Sequence, residues 1–305
     1  MSIERVCVLG APADQGQPLV AALLAKGFAV TAGVRRADAM AGTRFPDLPT
    51  VHADITDGES MAQAFAGQDA AAFHLPFEFD RPRAASFGRA IAEGAARAGL
   101  QKIVFNTACF VADHDLNLSA HDGRRDIEAA LKATGIACVF IEPTVFMDNI
   151  YRIWARPLIV REGVFAYPAK PSLKIDWVCL EDVAQAMTSA LLTQAADGRH
   201  VPLGGPESLV GDEVAERLSL ALGKPIRFQS LDPNEFASAM SKLVTGSAEI
   251  APNSIYHGMA AFYSWYNAQP ISPLTVNRSI AADLLGVAPT PLVDWAKAQE
   301  WTAGL

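Results

Sequence analysis

The sequence predicts an α/β fold: a doubly wound parallel sheet followed by a smaller, mostly helical C-terminal cap. Two observations predict it. Six short, continuously apolar runs alternate with helix-patterned segments between residues 6 and 141, and strands of that kind belong to a parallel sheet covered on both faces. The first run also breaks at a glycine turn that leads straight into a helix, an arrangement that sets a helix N-terminus against a phosphate.

The first strand is Val6-Cys7-Val8-Leu9, stopped by Gly10. Gly10 and Gly16 fill the first and third places of a G-x-x-G-x-x-G turn, with Ala13 in the middle place. An apolar helix pattern follows, and the second strand, Phe28 to Val34, ends in Arg35-Arg36. After a loop with Pro46 and Pro49 comes a short strand from Thr50 to Asp54. Asp57 is placed to cap the next helix, with Met61, Ala64 and Phe65 on its inner face. The fourth strand is Ala70 to Leu75, closed by Pro76. Phe87, Ile91 and Ala95 mark a helix over 84–98 that stops at Gly99. The fifth strand, Lys102 to Thr107, carries Asn106 and Thr107 at its polar end. A helix over 122–134 turns Ile127, Ala130 and Leu131 inward, and Cys138 to Ile141 is the sixth strand.

Beyond Pro143 the rhythm breaks into proline-rich turns at Pro157, Pro168 and Pro171, then a strand from Leu173 to Val178 and a helix from Glu181 to Thr193. Helices are expected over 211–222, 234–243, 255–267, 277–285 and 291–301, with a short strand over 226–228. The expected organisation is a dinucleotide-binding domain over 1–150 and a cap over 151–305. The 173–178 strand and its adjoining helix are expected to pack back on the first domain.

Of the 305 residues half are apolar and 19% charged, as in a folded soluble enzyme. A net charge of -8 offers no basic stripe for nucleic acid. No apolar run is long enough to span a bilayer, and with the first strand beginning by Val6 no leader is expected. Cys7, Cys109, Cys138 and Cys179 are too far apart for a metal or disulfide pattern and read as buried thiols in a reducing cytosol. The expectation is a cytoplasmic protein with a small-molecule substrate and no metal; monomer and homodimer both stay open.

In their order and spacing these pieces resemble the NmrA-like branch of the atypical short-chain dehydrogenase/reductases, over nearly the whole chain. The resemblance is carried by the glycine turn, Val34-Arg35-Arg36, the run His52 to Asp57, and Glu128 in its helix. Glu142 to Asn149 looks like the family's R-P-x-x-F-M-E-N segment, with Glu142 in place of arginine. Asp176 to Ala184, Leu203-Gly204-Gly205-Pro206, and Leu284-Leu285-Gly286 to Trp295 resemble its later motifs.

That resemblance implies a Rossmann-type cofactor site built from Gly10, Ala11, Ala13, Asp14, Gln15 and Gly16. Pro12, which has no N–H, and the negative Asp14 are departures a pyrophosphate would feel. Arg35 and Arg36 stand where an acid would hold a ribose hydroxyl and a cation suits a 2′-phosphate, so NADP(H) is expected over NAD(H). Asp54 and Ile55 would flank the adenine, Leu75 and Pro76 the middle of the dinucleotide, and Asn106 and Thr107 the nicotinamide end. His74 reads as a core histidine rather than a catalytic one.

The usual Y-x-x-x-K dyad, whose lysine lowers the tyrosine pKa, is missing, since no tyrosine precedes Tyr151. Relatives often keep a lysine four residues before the helix glutamate; here Arg124 holds that place, or Arg125 if the register slips by one. Arg124 stays charged and suits a ribose or phosphate contact better than proton donation. His121 is the other catalytic candidate, with an exposed loop histidine as the competing reading. In the cap, Phe146, Trp154 and Tyr256, with Cys109 from the sheet domain, are the expected substrate-pocket residues, suiting a flat quinone, dye or aromatic ketone. Three functions are therefore open: an NADP(H)-dependent oxidoreductase, a dinucleotide-sensing regulator without turnover, and, least favoured by the missing tyrosine, an epimerase or dehydratase.

Overall fold

The computed structural model describes residues 2–252 and 254–303. The chain divides into two compact units: Met1–Pro143, Leu180–Leu203 and Ser279–Val287 form the first, and Thr144–Cys179, Gly204–Arg278 and Ala288–Leu305 the second. The sequence reading places one boundary after residue 150, whereas the units are interleaved along the chain. The interleaving follows from the sheet, whose last strand lies beyond residue 199.

Among the described residues the strands are β1 (Arg5–Leu9), β2 (Ala29–Val34), β3 (Thr50–His52), β4 (Ala70–His74) and β5 (Lys102–Asn106). They continue with β6 (Ala137–Pro143), β7 (Val164–Tyr167), β8 (His200–Leu203) and β9 (Arg227–Ser230). The helices of the first half are α1 (Gly16–Ala25), α2 (Gly58–Phe65), α3 (Arg81–Ala98) and α4 (Ser119–Lys132). Then come α5 (Arg156–Glu162), α6 (Leu180–Leu192), α7 (Gly211–Leu222), α8 (Pro233–Thr245), α9 (Ile255–Ala268), α10 (Arg278–Leu285) and α11 (Leu292–Lys297).

The first unit holds a parallel sheet in the order β3-β2-β1-β4-β5-β6-β8. Phe65 of α2, Phe87 and Ile91 of α3, and Ile127 and Leu131 of α4 pack on Leu9, Phe73, Phe105 and Phe140. Because strand side chains alternate, His74 and Asn106, which are register partners, point to the opposite face from Phe73 and Phe105. The strand order reverses between β1 and β4, and the crevice at the carboxyl ends of those two strands is where ligands collect in open α/β sheets. Asp57 caps α2 as the sequence implies, its Oδ1 accepting the Glu59 N–H at 2.9 Å.

In the second unit β7 pairs with β9 in parallel. Leu173 to Val178, expected as a strand, is not one. Ile175 bridges Leu209, Val178 bridges Phe146, and the Asp176 N–H donates to Leu274, so each residue finds a different partner and no ladder forms. Conversely, the proline-rich stretch read as turns contains α5, with Pro157 in its first turn and Gly163 closing it at φ +64°. Proline is tolerated at that end because the first-turn N–H has no intrahelical partner.

Glu142, which stands where the family pattern has arginine, is 6% exposed and is held by an ionic group rather than left bare. His200 Nδ1 meets Glu142 Oε1, its Nε2 lies 2.9 Å from Glu128 Oε1, and Lys132 Nζ also reaches Glu128. The two carboxylates, Glu128 first, push the His200 pKa up to about 9. A raised folded-state pKa stabilises in full below the unfolded value near 6.5, and that contribution is lost as pH rises through about 9. Allowing for the partly exposed ring, the contribution is about 1–2 kcal/mol. The protein is expected to lose thermal stability between neutral and alkaline pH, with His200→Gln flattening that slope in melts across the range.

Candidate cofactor and active site

Gly10 adopts φ +77°, and a Cβ there would stand 2.7 Å from His74 Cε1. At Gly16 a Cβ would stand 2.1 Å from the Gly10 carbonyl oxygen and 2.7 Å from Ala11 Cα. Glycine is therefore required at both places, once for the left-handed turn and once for the contact between helix and strand end. Ala11 is buried, Gln15 half-buried, and Ala13 and Asp14 are exposed. The Ala13 N–H donates to Gly10, and the Gly16 and Gln17 N–H groups both donate to the Ala13 carbonyl, at 2.9 and 3.0 Å. Pro12 has no N–H, and neither has Pro18 in the first turn of α1, a departure the sequence reading passed over. The turn thus fits a dinucleotide in shape, but several of its amide positions are already used or lack a donor.

At the end of β2, Arg35 and Arg36 are exposed, and Arg36 Nε lies 3.2 Å from Asp38 Oδ1. Asp54 and Ile55 follow β3, both half-buried. The Thr56 N–H and hydroxyl bond Asp54 Oδ1 at 2.9 and 2.7 Å, and with smaller help from His52 and Arg35 they hold its carboxyl below the usual range. Past β4, Leu75 is buried and Pro76 exposed.

Asn106 and Thr107, expected beside the nicotinamide, have their hydrogen-bonding groups engaged within the protein. Asn106 is 1% exposed; its Nδ2 donates to Gln15 Oε1 at 2.9 Å, and its Oδ1 accepts the Ala108 N–H at 2.8 Å. It therefore ties the glycine turn to the turn after β5, where Ala108 sits at φ +59°. That is a strained setting for a residue with a Cβ, of the kind that gathers at functional sites. The buried Thr107 hydroxyl lies 2.6 Å from the Cys109 carbonyl and 3.0 Å from that of Ile141. Cys109 is itself buried, and burial pushes its thiol up to about 12.

Both catalytic candidates lie on α4, and neither is exposed. His121 is 1% exposed with its ring 5.0 Å from that of Phe110, which rules out the exposed-loop reading. Burial, then the charge of Arg124, pushes its pKa down to about 3, so it is neutral at physiological pH. Arg124 is 2% exposed; its Nη2 donates to Leu75 O at 2.7 Å and Pro76 O at 3.1 Å, and its guanidinium lies 4.9 Å from the Phe77 ring centre. Burial lowers its pKa to about 10, leaving it charged at neutral pH. A cation clasping two carbonyls positions the segment after β4; it is poorly disposed to give up a proton. Arg125 pairs with Asp115.

The other pocket candidates belong to the second unit. Phe146 is half-buried, and Trp154 lies 5.1 Å from Phe236 and 6.0 Å from Tyr167 between ring centres. Tyr167 and Tyr263 join hydroxyls at 2.6 Å within the same aromatic cluster. Tyr256 is half-buried in the first turn of α9. Among the described residues no helix is long and apolar enough to cross a membrane.

The sequence model of the NmrA-like family matches residues 2–302. The chain belongs to that family. Similar proteins include an NAD(P)H azoreductase of Xenophilus azovorans, 25% identical over 211 residues, covering 68% of this chain and 71% of that protein. An NADPH-dependent quinone oxidoreductase of Escherichia coli, solved with NADPH, shares the fold at TM-score 0.77 and 19% identity, over 95% of this chain and 98% of that one. NmrA, a negative transcriptional regulator solved with NADP, shares it at TM-score 0.76 and 17% identity, over 99% of each chain.

Proposed function

We propose that this NmrA-like protein is an NADP(H)-dependent reductase of a flat, apolar acceptor of the quinone, dye or aromatic-carbonyl class. The observation that carries the reading is the closed glycine turn at the switch point of the sheet, where Gly10 and Gly16 leave room for backbone only. The azoreductase and quinone oxidoreductase relatives support the acceptor class. Gly10 to Gly16 would take the pyrophosphate, Asp54 and Ile55 the adenine side, and Arg35 and Arg36 a 2′-phosphate.

When bound, the nicotinamide supplies the hydride. The chain's own part is then orientation, since proximity and exclusion of competing geometry account for much of such a rate. Asn106 holds the glycine turn to the β5 turn, and Arg124 holds the Leu75–Pro76 segment. The buried, neutral His121 and the clasped Arg124 are not proton donors, so a quinone or carbonyl takes its proton from water, and a cationic dye needs none. Acceptors that demand an enzyme-borne acid are poor substrates on this reading.

NADPH fluorescence titration tests the cofactor half: saturable binding is expected, and its absence at high micromolar protein would sink the reading. Arg35→Glu is expected to weaken NADPH by about ten- to hundredfold while leaving NADH nearly unchanged, because the 2′-phosphate loses a cation and meets a like charge. The second reading, a dinucleotide-sensing regulator of the NmrA type, is favoured by the same buried His121 and Arg124. Stable NADPH binding without NADPH consumption across a panel of quinones, dyes and aromatic ketones would select it.

A further inference from the structure

The sequence alone reads His74 as a core histidine, yet it ends β4 on the crevice side of the sheet and is only half-buried. Its imidazole packs directly against the glycine turn. A Cβ built at Gly10 meets Cε1 at 2.7 Å and both ring nitrogens at 3.2 Å, so Cε1 and the two nitrogens are the ring atoms nearest Gly10. Its register partner Asn106 is the residue bonded to Gln15 at the start of α1. His74 thus ends one of the two strands between which the strand order reverses, beside the turn that would hold a pyrophosphate.

That turn is short of donors. Pro12 and Pro18 carry no N–H, the Gly16 and Gln17 amides are directed to Ala13 O, and Asp14 brings a negative charge. An imidazole beside this turn can provide what the backbone does not, because a neutral ring donates one hydrogen bond and a protonated ring donates from both nitrogens with a charge.

Resting on the cofactor reading above, we propose that His74 is a cofactor-binding residue that hydrogen-bonds the pyrophosphate of the dinucleotide, in place of the amides the turn lacks. In the free protein, burial first and the charge of Arg124 second push the His74 pKa down to about 4, with Asp14 acting against them. The ring is therefore neutral before the cofactor arrives, and a pyrophosphate beside it raises its pKa. Part of the affinity then depends on proton uptake, and tightens as pH falls. The groups facing the ring are Asp14 from the turn and Arg124 from α4. Arg124 stays charged over the range tested.

The test compares wild type, His74→Ala and His74→Gln by calorimetric titration with NADPH and with 2′-AMP, which carries the 2′-phosphate but no pyrophosphate. His74→Ala is expected to weaken NADPH by about tenfold or more and to leave 2′-AMP within about twofold, because only the pyrophosphate contact is lost. His74→Gln keeps one donor and recovers part of the loss. The ratio of wild-type to His74→Gln affinity for NADPH should grow as pH is lowered from neutral, a trend a merely structural histidine would not produce. If His74→Ala does not fold, the glutamine variant and its pH ratio decide. Wild-type binding of NADPH matched by folded variants, with a flat ratio, overturns the role of His74 alone. Wild-type protein that binds no NADPH overturns the cofactor reading and this residue's role with it.

Discussion

Gly16→Ala is expected to damage both the fold and the proposed cofactor site. The new Cβ would lie 2.1 Å from the Gly10 carbonyl oxygen and within 2.8 Å of Ala11 backbone atoms, none of which can swing aside as a side chain does. The start of α1 must move off the end of β1, at a cost of about 3 kcal/mol or more. For a chain this large that is a fall in Tm of roughly 6 °C or more. NADPH affinity is expected to drop at least about tenfold, since the turn and the helix start would no longer meet one ligand. Gly42→Ala is the control: nothing lies within 4 Å of the place its Cβ would take, and it should match wild type in melting and in titration.

Arg124 gives the second large effect, and the pattern of that effect separates two roles. Arg124→Ala removes the donor shared by the Leu75 and Pro76 carbonyls and empties a buried volume beside Phe77 and Phe105. Leu75 is buried, so its carbonyl is left without a donor, and the combined loss is about 3 kcal/mol. With that segment loosened, the Kd for NADPH should rise about tenfold while turnover of the bound cofactor changes by less than about threefold. A proton donor would show the reverse: intact cofactor affinity and a collapsed kcat. Arg124→Lys keeps the charge without the planar fork and should fall between the two.

The sheet was legible because burial on both faces writes itself as unbroken apolar runs, as in Ala70 to Phe73 and Ile103 to Phe105. The cap at Asp57 was legible because its partner lies two residues away. What could not be read depends on partners distant in sequence. The Asn106–Gln15 bond spans 91 positions, and nothing local says that Asn106 spends both ends of its amide inside the protein. Leu173 to Val178 has the composition of a strand, but its partners come one at a time from Phe146, Leu209 and Leu274. Pro157 reads as a breaker until the helix beginning there is seen. His121 is polar and near loop residues, and only the fold buries it beside Phe110. The same holds for His74, whose place against Gly10 is set by the pairing of β1 with β4.

The central claim is that this NmrA-like chain moves a hydride from NADPH to an apolar acceptor without a proton donor of its own. Its most direct test is transfer of deuterium from NADPH labelled at nicotinamide C4 to a cationic triarylmethane dye, with the product read by mass spectrometry. One deuterium is expected on the central carbon of the reduced dye, at a rate nearly independent of pH around neutrality. Tight NADPH binding with no label transferred to this dye or to any aromatic ketone, and no NADPH consumed with any quinone, would contradict it.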